Sequence, residues 1–334
     1  MAGELEILES GVLTSVQDVH GRPDFRHLGV STAGAADSFS AALANRLVGN
    51  ERAAGFLEVT LAGLAVRFAS PVVIGLAGAD LGAELDGLPL SLPAARRTSA
   101  GAVLRFMRRR RGARAYLAVA GGLAVEPVLG SRSTDLRSGF GGVDGRPLSA
   151  GDRLDVAPGH SDGSFEPGLL VPELRRAAAD QLVVDAPLPV VGGPHLERFA
   201  PSVLDLLCAR PWRVSADADR AGIRLEGDGA SLAHAGEAEV PSVALPLGAV
   251  QVPPDGRPII MLADRPVTGG YPVIGCIARA AVGRVAQLLP GDEIRFTAVS
   301  TREARDALRH VVALLRDGIR VDEDATPHWA GSLD

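Results

Sequence analysis

The densest group of chemically versatile side chains lies in the stretch "LADRPVTGGYP", residues 262–272. It combines opposite charges, hydroxyl groups and a glycine pair that allows close backbone approach to a ligand. The candidate catalytic residues are Asp264, Arg265, Thr268 and Tyr271, and Gly269 and Gly270 are candidate ligand-binding residues. We predict that this loop lines the main cleft and binds an anionic or amide-bearing ligand. A tight loop that uses Asp264 and Arg265 as structural partners fits the spacing equally well.

The sequence just before this loop predicts how it is positioned. Residues 253–256, "PPDG", predict a turn that reverses the chain into the apolar strand "PIIMLA". That strand would deliver Asp264 and Arg265 at its end. Gln251, which precedes the turn in the same stretch, is a further candidate for ligand binding.

A second polar stretch covers residues 15–40, "SVQDVHGRPDFRHLGVSTAGAADSFS". Gln17 and Asp18 are candidate ligand-binding residues there. The same density of polar residues among glycines also fits a loop held by bonds from side chains to the backbone. Taken singly, His27 is better explained as a satisfied, half-buried histidine, and Asp37 as a helix cap.

Two further stretches contribute candidates for ligand binding. In "LGSRSTDLRSGFGGVDGR", residues 129–146, Arg132, Ser133 and Thr134 lie among glycines that let backbone N–H groups approach an anion. This composition matches no standard phosphate loop. Asp80 ends a very apolar strand, where a carboxylate can lie at a barrel rim with a shifted pKa. A turn aspartate explains Asp80 equally well.

Several mechanisms are excluded by residues that the chain lacks. All 34 positively charged residues are arginines, since the sequence contains no lysine. A P-loop, a pyridoxal Schiff base and a biotin attachment site each require a lysine, so none of them can reside in this chain. The GxSxG nucleophile elbow and HExxH metal spacing are also missing, and nothing in the sequence indicates a metal site.

Composition and charge narrow the class of protein. The 334 residues are 46% hydrophobic and 22% charged, which is typical of a folded protein and long enough for two domains. A formal charge of −6 argues against a nucleic-acid partner. No apolar run is long enough to span a membrane, and Cys208 and Cys276 form no CxxC pair. We therefore expect a cytoplasmic protein without a membrane partner.

The hydrophobic pattern predicts a mainly β fold with a few helices. Short aliphatic and β-branched runs recur between turn signals, which is typical of a barrel or sandwich. Helices are predicted from about 37 to 49, from 280 to 289 and from 301 to 318.

A proline- and glycine-rich segment, residues 157–186, predicts the domain boundary. We predict domains at 1–156 and 187–320, followed by a C-terminal tail at 321–334. A loose internal repeat relates residues 71–87 to 258–275, and "LSAGDRLDV" at 148–156 to "LLPGDEIRF" at 288–296. If the repeat is real, two copies of one β-rich unit form the chain.

Nine blocks in order resemble a known family. They are "GVLTSVQD" with "RHLGV" and "GAAD", "ANRLVGN", "FLEVTLAG", "GADLGAELDG", "RAYLAVAGG", "LGSRSTDLRSGFGG", "DRAGIRLEG", "GAVQVPPDGRPIIMLADRPVTGGYP" and "AQLLPGDEIRF". The chain resembles the biotin-dependent-carboxyltransferase-like family. That family includes the C subunit of bacterial 5-oxoprolinase, also called allophanate hydrolase subunit 2, and is similar to the carboxyltransferase part of urea carboxylase.

The resemblance implies a tandem of cyclophilin-like β-barrel domains. It also implies a complex with the B subunit of 5-oxoprolinase, expected as a heterotetramer, and with the further A subunit. Such a complex opens the lactam of 5-oxo-L-proline to L-glutamate and consumes ATP as its cofactor. The family's "DRxTxGGYP" block coincides with the loop at 262–272, which supports its place at the rim of a functional cleft.

The chain departs from the family pattern at two places, and the resemblance leaves three functions open. The first block differs at Asp24 and Phe25, and Val273 stands where relatives often have a lysine after "GGYP". The first function is lactam opening. The second is carboxyl transfer to urea or another amide from biotin on a separate carrier, with Asp80, Asp264 and Tyr271 around the ureido ring. The third is a non-enzymatic regulatory partner of the B subunit.

Overall fold

The computed structural model of the chain describes residues 3–158, 169–227 and 231–320. The fold of this part is mainly β, as predicted, with few helices. The predicted tail at 321–334 and much of the proline- and glycine-rich segment lie outside the described residues.

The described residues divide into two compact units that interleave along the sequence. The first unit takes residues 3–21, 38–158, 169–178 and 313–320, and the second takes 22–37, 179–227 and 231–312. Residues 22–37 therefore belong to the second unit, although they precede most of the first. The contiguous domain bounds drawn from the sequence remain a prediction.

The first unit contains two main sheets and a two-stranded one. Its strands are β1 Glu4–Ser10, β2 Leu13–Gln17, β3 Phe56–Thr60, β4 Leu64–Phe68, β5 Val73–Asp80, β6 Ala83–Leu85, β7 Leu88–Pro89, β8 Ala94–Arg97, β9 Val103–Phe106, β10 Arg111–Val119, β11 Arg153–Asp155 and β12 Leu169–Leu170. The six-stranded order is β11-β1-β4-β9-β6-β7 and the five-stranded order is β2-β3-β10-β5-β8. The helices are α1 Ser38–Leu47 and α2 Pro172–Asp180, which extends two residues past the division.

One hydrophobic cluster joins both main sheets of the first unit. Leu5, Ile7 and Phe106 come from the six-stranded sheet, and Leu57 and Leu117 come from the five-stranded sheet. All five side chains are buried. Because strands alternate their side chains between two faces, each sheet turns one apolar face to this shared core.

Helix α1 packs against β5 of the five-stranded sheet, and a glycine makes the close approach possible. A Cβ atom at Gly75 would lie only 2.3 Å from the backbone oxygen of Ala44 in the helix. Any larger residue at this position would push the helix away from the strand. The predicted helix from 37 to 49 is confirmed as Ser38–Leu47.

The second unit is built on an eight-stranded sheet and a two-stranded sheet. Its strands are β13 Leu188–Gly192, β14 Trp212–Val214, β15 Gly222–Glu226, β16 Val243–Ala244, β17 Ala249–Gln251, β18 Ile259–Met261, β19 Thr268–Gly269, β20 Val273–Ile277, β21 Glu293–Ile294 and β22 Phe296–Ala298. The eight-stranded order is β21-β14-β15-β18-β17-β20-β13-β22, and β16 pairs with β19. Trp212, Val250, Ile260 and Ile274 are fully buried in its core.

The remaining elements of the described residues are three helices, one strand and three short turns. They are the helices α3 Val203–Ala209, α4 Val282–Ala286 and α5 Thr301–Asp317, strand β23 Ile319–Arg320, and short 3-10 turns at Pro23–Leu28, Leu196–Arg198 and Arg279–Ala281. The helices predicted at 280–289 and 301–318 are confirmed, the first as a 3-10 turn followed by α4. Strand β23 pairs with β12 in the first unit.

The predicted hairpin that leads to the loop at 262–272 is present. Strands β17 and β18 pair antiparallel, with Val250 opposite Ile260. The turn closes through a 2.9 Å hydrogen bond from the Gly256 N–H to the Pro253 carbonyl, and Gly256 has a φ of 71°. A positive φ of this kind favours glycine, which explains the "PPDG" signature.

The repeated "GD" blocks at 148–156 and 288–296 form the same turn. In the first unit the Ser149 N–H donates to Asp152 Oδ2 at 2.7 Å, and in the second the Leu289 N–H donates to Asp292 Oδ2 at 2.8 Å. The intervening glycines have φ values of 92° and 91°. This local match supports the repeat between the two units.

No helix in the described ranges has the length and apolar character needed to cross a bilayer.

Candidate functional site

Asp264 forms a buried ion pair with Arg220, which is not one of the candidates predicted from the sequence. Arg220 Nε donates to Asp264 Oδ2 at 2.8 Å, and Arg220 Nη2 donates to Asp264 Oδ1 at 3.0 Å. Arg220 Nη2 also donates to the Gly34 carbonyl at 2.8 Å. Both carboxylate oxygens are thus held by one guanidinium, which links three segments of the second unit. This geometry supports the structural alternative for Asp264, and its catalytic role stays a prediction.

Arg265 is also buried and is held by backbone carbonyls. Its Nε donates to Leu245 O at 2.8 Å and its Nη1 donates to Leu262 O at 3.2 Å. Burial, followed by the charges of Arg26 and Arg279, lowers the pKa of Arg265 to about 10. The guanidinium therefore remains positively charged at neutral pH, although little of it reaches solvent.

The glycine pair and Gln251 shape the backbone that follows. Gln251 is buried, and its Nε2 donates to the Tyr271 carbonyl at 3.0 Å. A Cβ atom at Gly269 would lie 2.7 Å from Gln251 Nε2 and 2.8 Å from a methyl carbon of Leu245. Gly269 thus has a packing reason to be glycine, whereas a Cβ at Gly270 would make only ordinary contacts.

Thr268 and Tyr271 are the predicted catalytic residues that the loop leaves accessible. Thr268 is exposed in β19, which pairs with β16, and Tyr271 is 37% exposed. The loop therefore divides into an inner part that holds Asp264 and Arg265 and an outer part that presents two hydroxyl groups. A ligand from solvent can reach the outer part without any rearrangement of the buried ion pair.

Removing these two hydroxyl groups should separate a ligand-binding loop from a scaffold. For Tyr271→Phe and Thr268→Val we expect little change in melting temperature, because both side chains are exposed. Each lost bond to a ligand should cost about 0.5–1.5 kcal/mol, measured as a lower kcat/KM for the reaction that the family resemblance implies. Thr297→Val, an exposed threonine on β22, is the matched control. Early unfolding combined with full activity of the folded fraction would identify the loop as scaffold.

The ligand-binding candidates of the first unit, apart from Asp80, lie together around Asp18. The carboxylate of Asp18 accepts hydrogen bonds from four donors, at distances between 2.6 and 3.2 Å. The donors are the N–H groups of His20, Gly21 and Arg132 and the hydroxyl of Ser131. The Asp18 N–H donates to Ser133 Oγ at 2.9 Å. Of the three residues predicted to hold a ligand anion in this segment, Arg132 donates its backbone N–H to this carboxylate of the chain itself.

Gln17 and Thr134 tie the same two segments together, and the Arg132 side chain contacts a third segment. Gln17 Nε2 donates to the Thr134 carbonyl at 3.1 Å, and Thr134 Oγ1 donates to Val16 O at 2.9 Å. Arg132 Nη1 donates to Ala53 O at 3.2 Å. Gln17, Ser133 and Thr134 are buried. The arrangement supports the interpretation of residues 15–21 as a loop held by side chains, and ligand binding here stays a prediction.

Asp80 lies at the end of β5, and its contacts fit a turn aspartate. Its Oδ1 accepts a 3.0 Å hydrogen bond from the Gly82 N–H and lies 4.0 Å from Arg110 Nη1. The side chain is 43% exposed, so this ion pair is weak. A ligand-binding role for Asp80 stays a prediction.

Two alternatives for single residues in the second polar stretch have different outcomes. His27 is exposed, and its Nδ1 lies 2.8 Å from the carbonyl of Asp24, so the expected half-buried position is wrong. Asp37 immediately precedes α1 and is fully buried, and its Oδ2 accepts a 2.9 Å hydrogen bond from Gln287 Nε2. This hydrogen bond joins two residues of the second unit, and the role of Asp37 as a helix cap stays a prediction.

Four residues that contact or lie near Asp264 and Arg265 are not among the candidates predicted from the sequence. They are Arg26, Arg220, Cys276 and Arg279. Two of them lie in blocks that carry the family resemblance, Arg220 in "DRAGIRLEG" and Arg26 in "RHLGV", so the sequence could have indicated them. Neither block shows by itself which carboxylate or carbonyl its arginine will contact. Within the described ranges, no group of three or more histidine, cysteine, aspartate or glutamate side chains is placed to hold a metal ion.

The sequence pattern of the family described as "Carboxyltransferase domain, subdomain A and B" matches residues 28–298. The chain belongs to this family. The match begins at Leu28, inside the segment that joins the second unit, and ends on β22.

Two carboxyltransferase-family relatives with curated names match nearly the whole chain. The first is the C subunit of 5-oxoprolinase from Escherichia coli (strain K12), which is 38% identical over 303 residues, 91% of this chain and 94% of the relative. The second is the C subunit of 5-oxoprolinase from Haemophilus influenzae, which is 34% identical and covers 96% of this chain and 99% of the relative.

A solved structure of the family extends the comparison to a longer protein. The crystal structure of the K. lactis urea amidolyase matches with a TM-score of 0.83 and 30% identity over 93% of this chain. This chain spans only 20% of that protein. The carboxyltransferase fold therefore occurs in proteins of about this length and also as one part of a much longer chain.

Proposed function

We propose that this chain is the C subunit of an ATP-dependent 5-oxoprolinase, which opens the lactam of 5-oxo-L-proline to L-glutamate together with the A and B subunits. The observation that carries the proposal is the extent of the match to the two 5-oxoprolinase relatives. This chain covers them almost from end to end, whereas it covers a fifth of the urea amidolyase. Near-complete coverage favours the function of these two relatives over that of the much longer enzyme.

The chemistry of lactam opening accounts for the requirement for ATP. Amide resonance makes the lactam carbonyl a poor electrophile. Transfer of the terminal phosphoryl group of ATP to the carbonyl oxygen, with release of ADP, would remove that resonance. Water can then attack the carbon, and the C–N bond breaks as the nitrogen takes a proton, which leaves an acyl phosphate. A second water hydrolyses the acyl phosphate to the carboxylate of glutamate and free phosphate. Arginines and backbone N–H groups stabilise the negative charge that develops on the oxygens.

The three proteins of the proposed complex would have different roles. This chain contains no lysine, so it cannot bind a nucleotide through a P-loop. ATP would therefore bind to one of the other two proteins, or to this chain through a site of a different kind. The chain would act as a tandem of cyclophilin-like β-barrels bound to the B subunit in a cytoplasmic heterotetramer. In that assembly the exposed hydroxyl groups of Thr268 and Tyr271 would face the amide-bearing substrate.

Reconstitution tests the proposal directly. Purified chain is mixed with the A and B subunits, and glutamate release from 5-oxo-L-proline is followed with and without ATP. We expect release only when all three proteins and ATP are present, with a 5-oxoprolinase complex of established activity as positive control. No ATP-dependent release from the full mixture would reject the function. Full release without this chain would make it a non-enzymatic regulatory partner.

The family description favours carboxyl transfer as the second candidate function. Under this alternative, biotin must be carried by a separate protein, because this chain has no lysine to attach it. The amide of urea or a related compound would accept the carboxyl group. Decarboxylation of carboxybiotin that increases on addition of the amide supports this alternative, and activity without any carrier removes it.

A further inference from the structure

Two arginines of the second unit converge on one backbone carbonyl. Arg26 Nη2 donates to Leu245 O at 2.9 Å, and Arg265 Nε donates to the same oxygen at 2.8 Å. The two guanidinium groups therefore lie within two hydrogen-bond lengths of each other. Arg279 lies close enough for its charge to act on Arg265 and on the thiol of Cys276. These arginines gather positive charge beside the loop at 262–272.

The carboxylate of Asp264 offsets only part of the positive charge on Arg265. Both oxygens of Asp264 accept hydrogen bonds from Arg220. Among the described residues, Arg26 and Arg265 form no ion pair and donate only to carbonyl and hydroxyl oxygens. Repulsion from Arg26 and Arg279 adds to burial in lowering the pKa of Arg265. Like charges held this close are unfavourable unless an anion joins them.

The guanidinium groups retain capacity for a ligand. Each guanidinium carries five N–H donors, and the carbonyl contacts of Arg265 use its Nε and Nη1 atoms. Arg26 uses its Nη1 and Nη2 atoms for bonds to Thr32 Oγ1, Leu245 O and Val267 O, so some of its N–H groups are not used in these bonds. Arg26 is half-buried and Arg279 is exposed, so parts of both side chains reach solvent.

We propose that Arg26, Arg265 and Arg279 form a binding site for a small oxyanion, whose ligand group is a carboxylate or a phosphoryl group. Arginine binds both groups through paired N–H donors. The backbone carbonyls hold Arg265 and Arg26 in place before the ligand arrives, so little side-chain freedom is lost on binding. The identity of the carboxylate as that of 5-oxo-L-proline rests on the proposed function, whereas the site itself does not.

Titration calorimetry on the isolated full chain distinguishes the two sources of the oxyanion. The probes are inorganic phosphate, 5-oxo-L-prolinate and the neutral carboxamide of 5-oxo-L-proline. Binding of 5-oxo-L-prolinate without binding of the carboxamide assigns the site to a substrate carboxylate. Binding of phosphate alone assigns it to a phosphoryl group. If neither anion binds, the proposal is overturned.

Single substitutions locate the binding on the cluster. Arg279→Gln and Arg26→Gln should each weaken anion binding by about tenfold or more, since a charge-assisted hydrogen bond is lost. Arg213→Gln removes an exposed positive charge from β14 of the same unit and should leave the affinity unchanged. Equal weakening by all three variants, or by none of them, contradicts a site at the cluster.

A thermal measurement keeps the test valid if Arg26→Gln folds poorly. The wild-type chain should gain melting temperature with increasing anion, because a ligand that binds the folded state stabilises it. Arg279→Gln changes an exposed side chain and should lose this gain while keeping the melting temperature of the free protein. An undiminished gain in Arg279→Gln overturns its place in the site. Both readouts use the chain alone, so they stand even if the three-protein mixture releases no glutamate.

Discussion

Asp264→Asn should lower the free energy of unfolding by about 3–5 kcal/mol, because it leaves the buried guanidinium of Arg220 without its counter-charge. The pair is bidentate, with N–O distances of 2.8 and 3.0 Å, and both side chains are almost fully buried. An asparagine of the same shape keeps the packing, so the loss reports the charge and the hydrogen bonds. Chemical denaturation of the isolated chain measures the effect.

A double replacement and a matched control complete this experiment. Arg220→Met combined with Asp264→Leu removes both buried charges and should recover much of the lost stability, although the bond from Arg220 to the Gly34 carbonyl is also lost. Asp24→Asn alters an exposed aspartate of the same unit and should change stability little. If Asp264→Asn is as stable as wild type but inactive in the assembled enzyme, Asp264 is catalytic and the structural interpretation is wrong.

Asp18→Asn should destabilise the first unit to a similar degree, by about 3 kcal/mol or more, since hydrogen bonds to a charged group contribute about 1.5–3 kcal/mol each and are not additive. The Asp18 carboxylate accepts from three backbone N–H groups and the Ser131 hydroxyl. An amide NH₂ group in place of one oxygen would face these donors. The measurement is the midpoint of denaturant unfolding, with the slope compared between variants.

The control for Asp18 lies on β11 of the same unit. Asp155 is exposed, so Asp155→Asn should shift the unfolding midpoint little. Ser131→Ala removes one of the donors and should cost less than Asp18→Asn, because three backbone donors remain. An unfolding midpoint for Asp18→Asn equal to that of wild type would show that the carboxylate does not hold this loop. Its role as a ligand-binding residue would then be favoured.

The sequence by itself determined those parts of the structure that depend on patterns of a few neighbouring residues. Apolar and β-branched runs between turn residues predicted a mainly β fold, and the "PPDG" turn predicted the hairpin before the loop at 262–272. These signals act through backbone preference and side-chain alternation over a few residues. The absence of lysine also excluded whole classes of mechanism without any knowledge of the fold.

The tertiary structure alone decided what the polar candidates contact. The partner of Asp264 is an arginine 44 residues earlier, and the partner of Asp18 is a serine 113 residues later. Residues 22–37 joined the second unit, which brought Arg26 to the carbonyl of Leu245. Such pairings depend on which strands become neighbours and in what register, and no local spacing carries that information. The same charged residue can therefore suggest catalysis in the sequence and be fully occupied by its own chain in the fold.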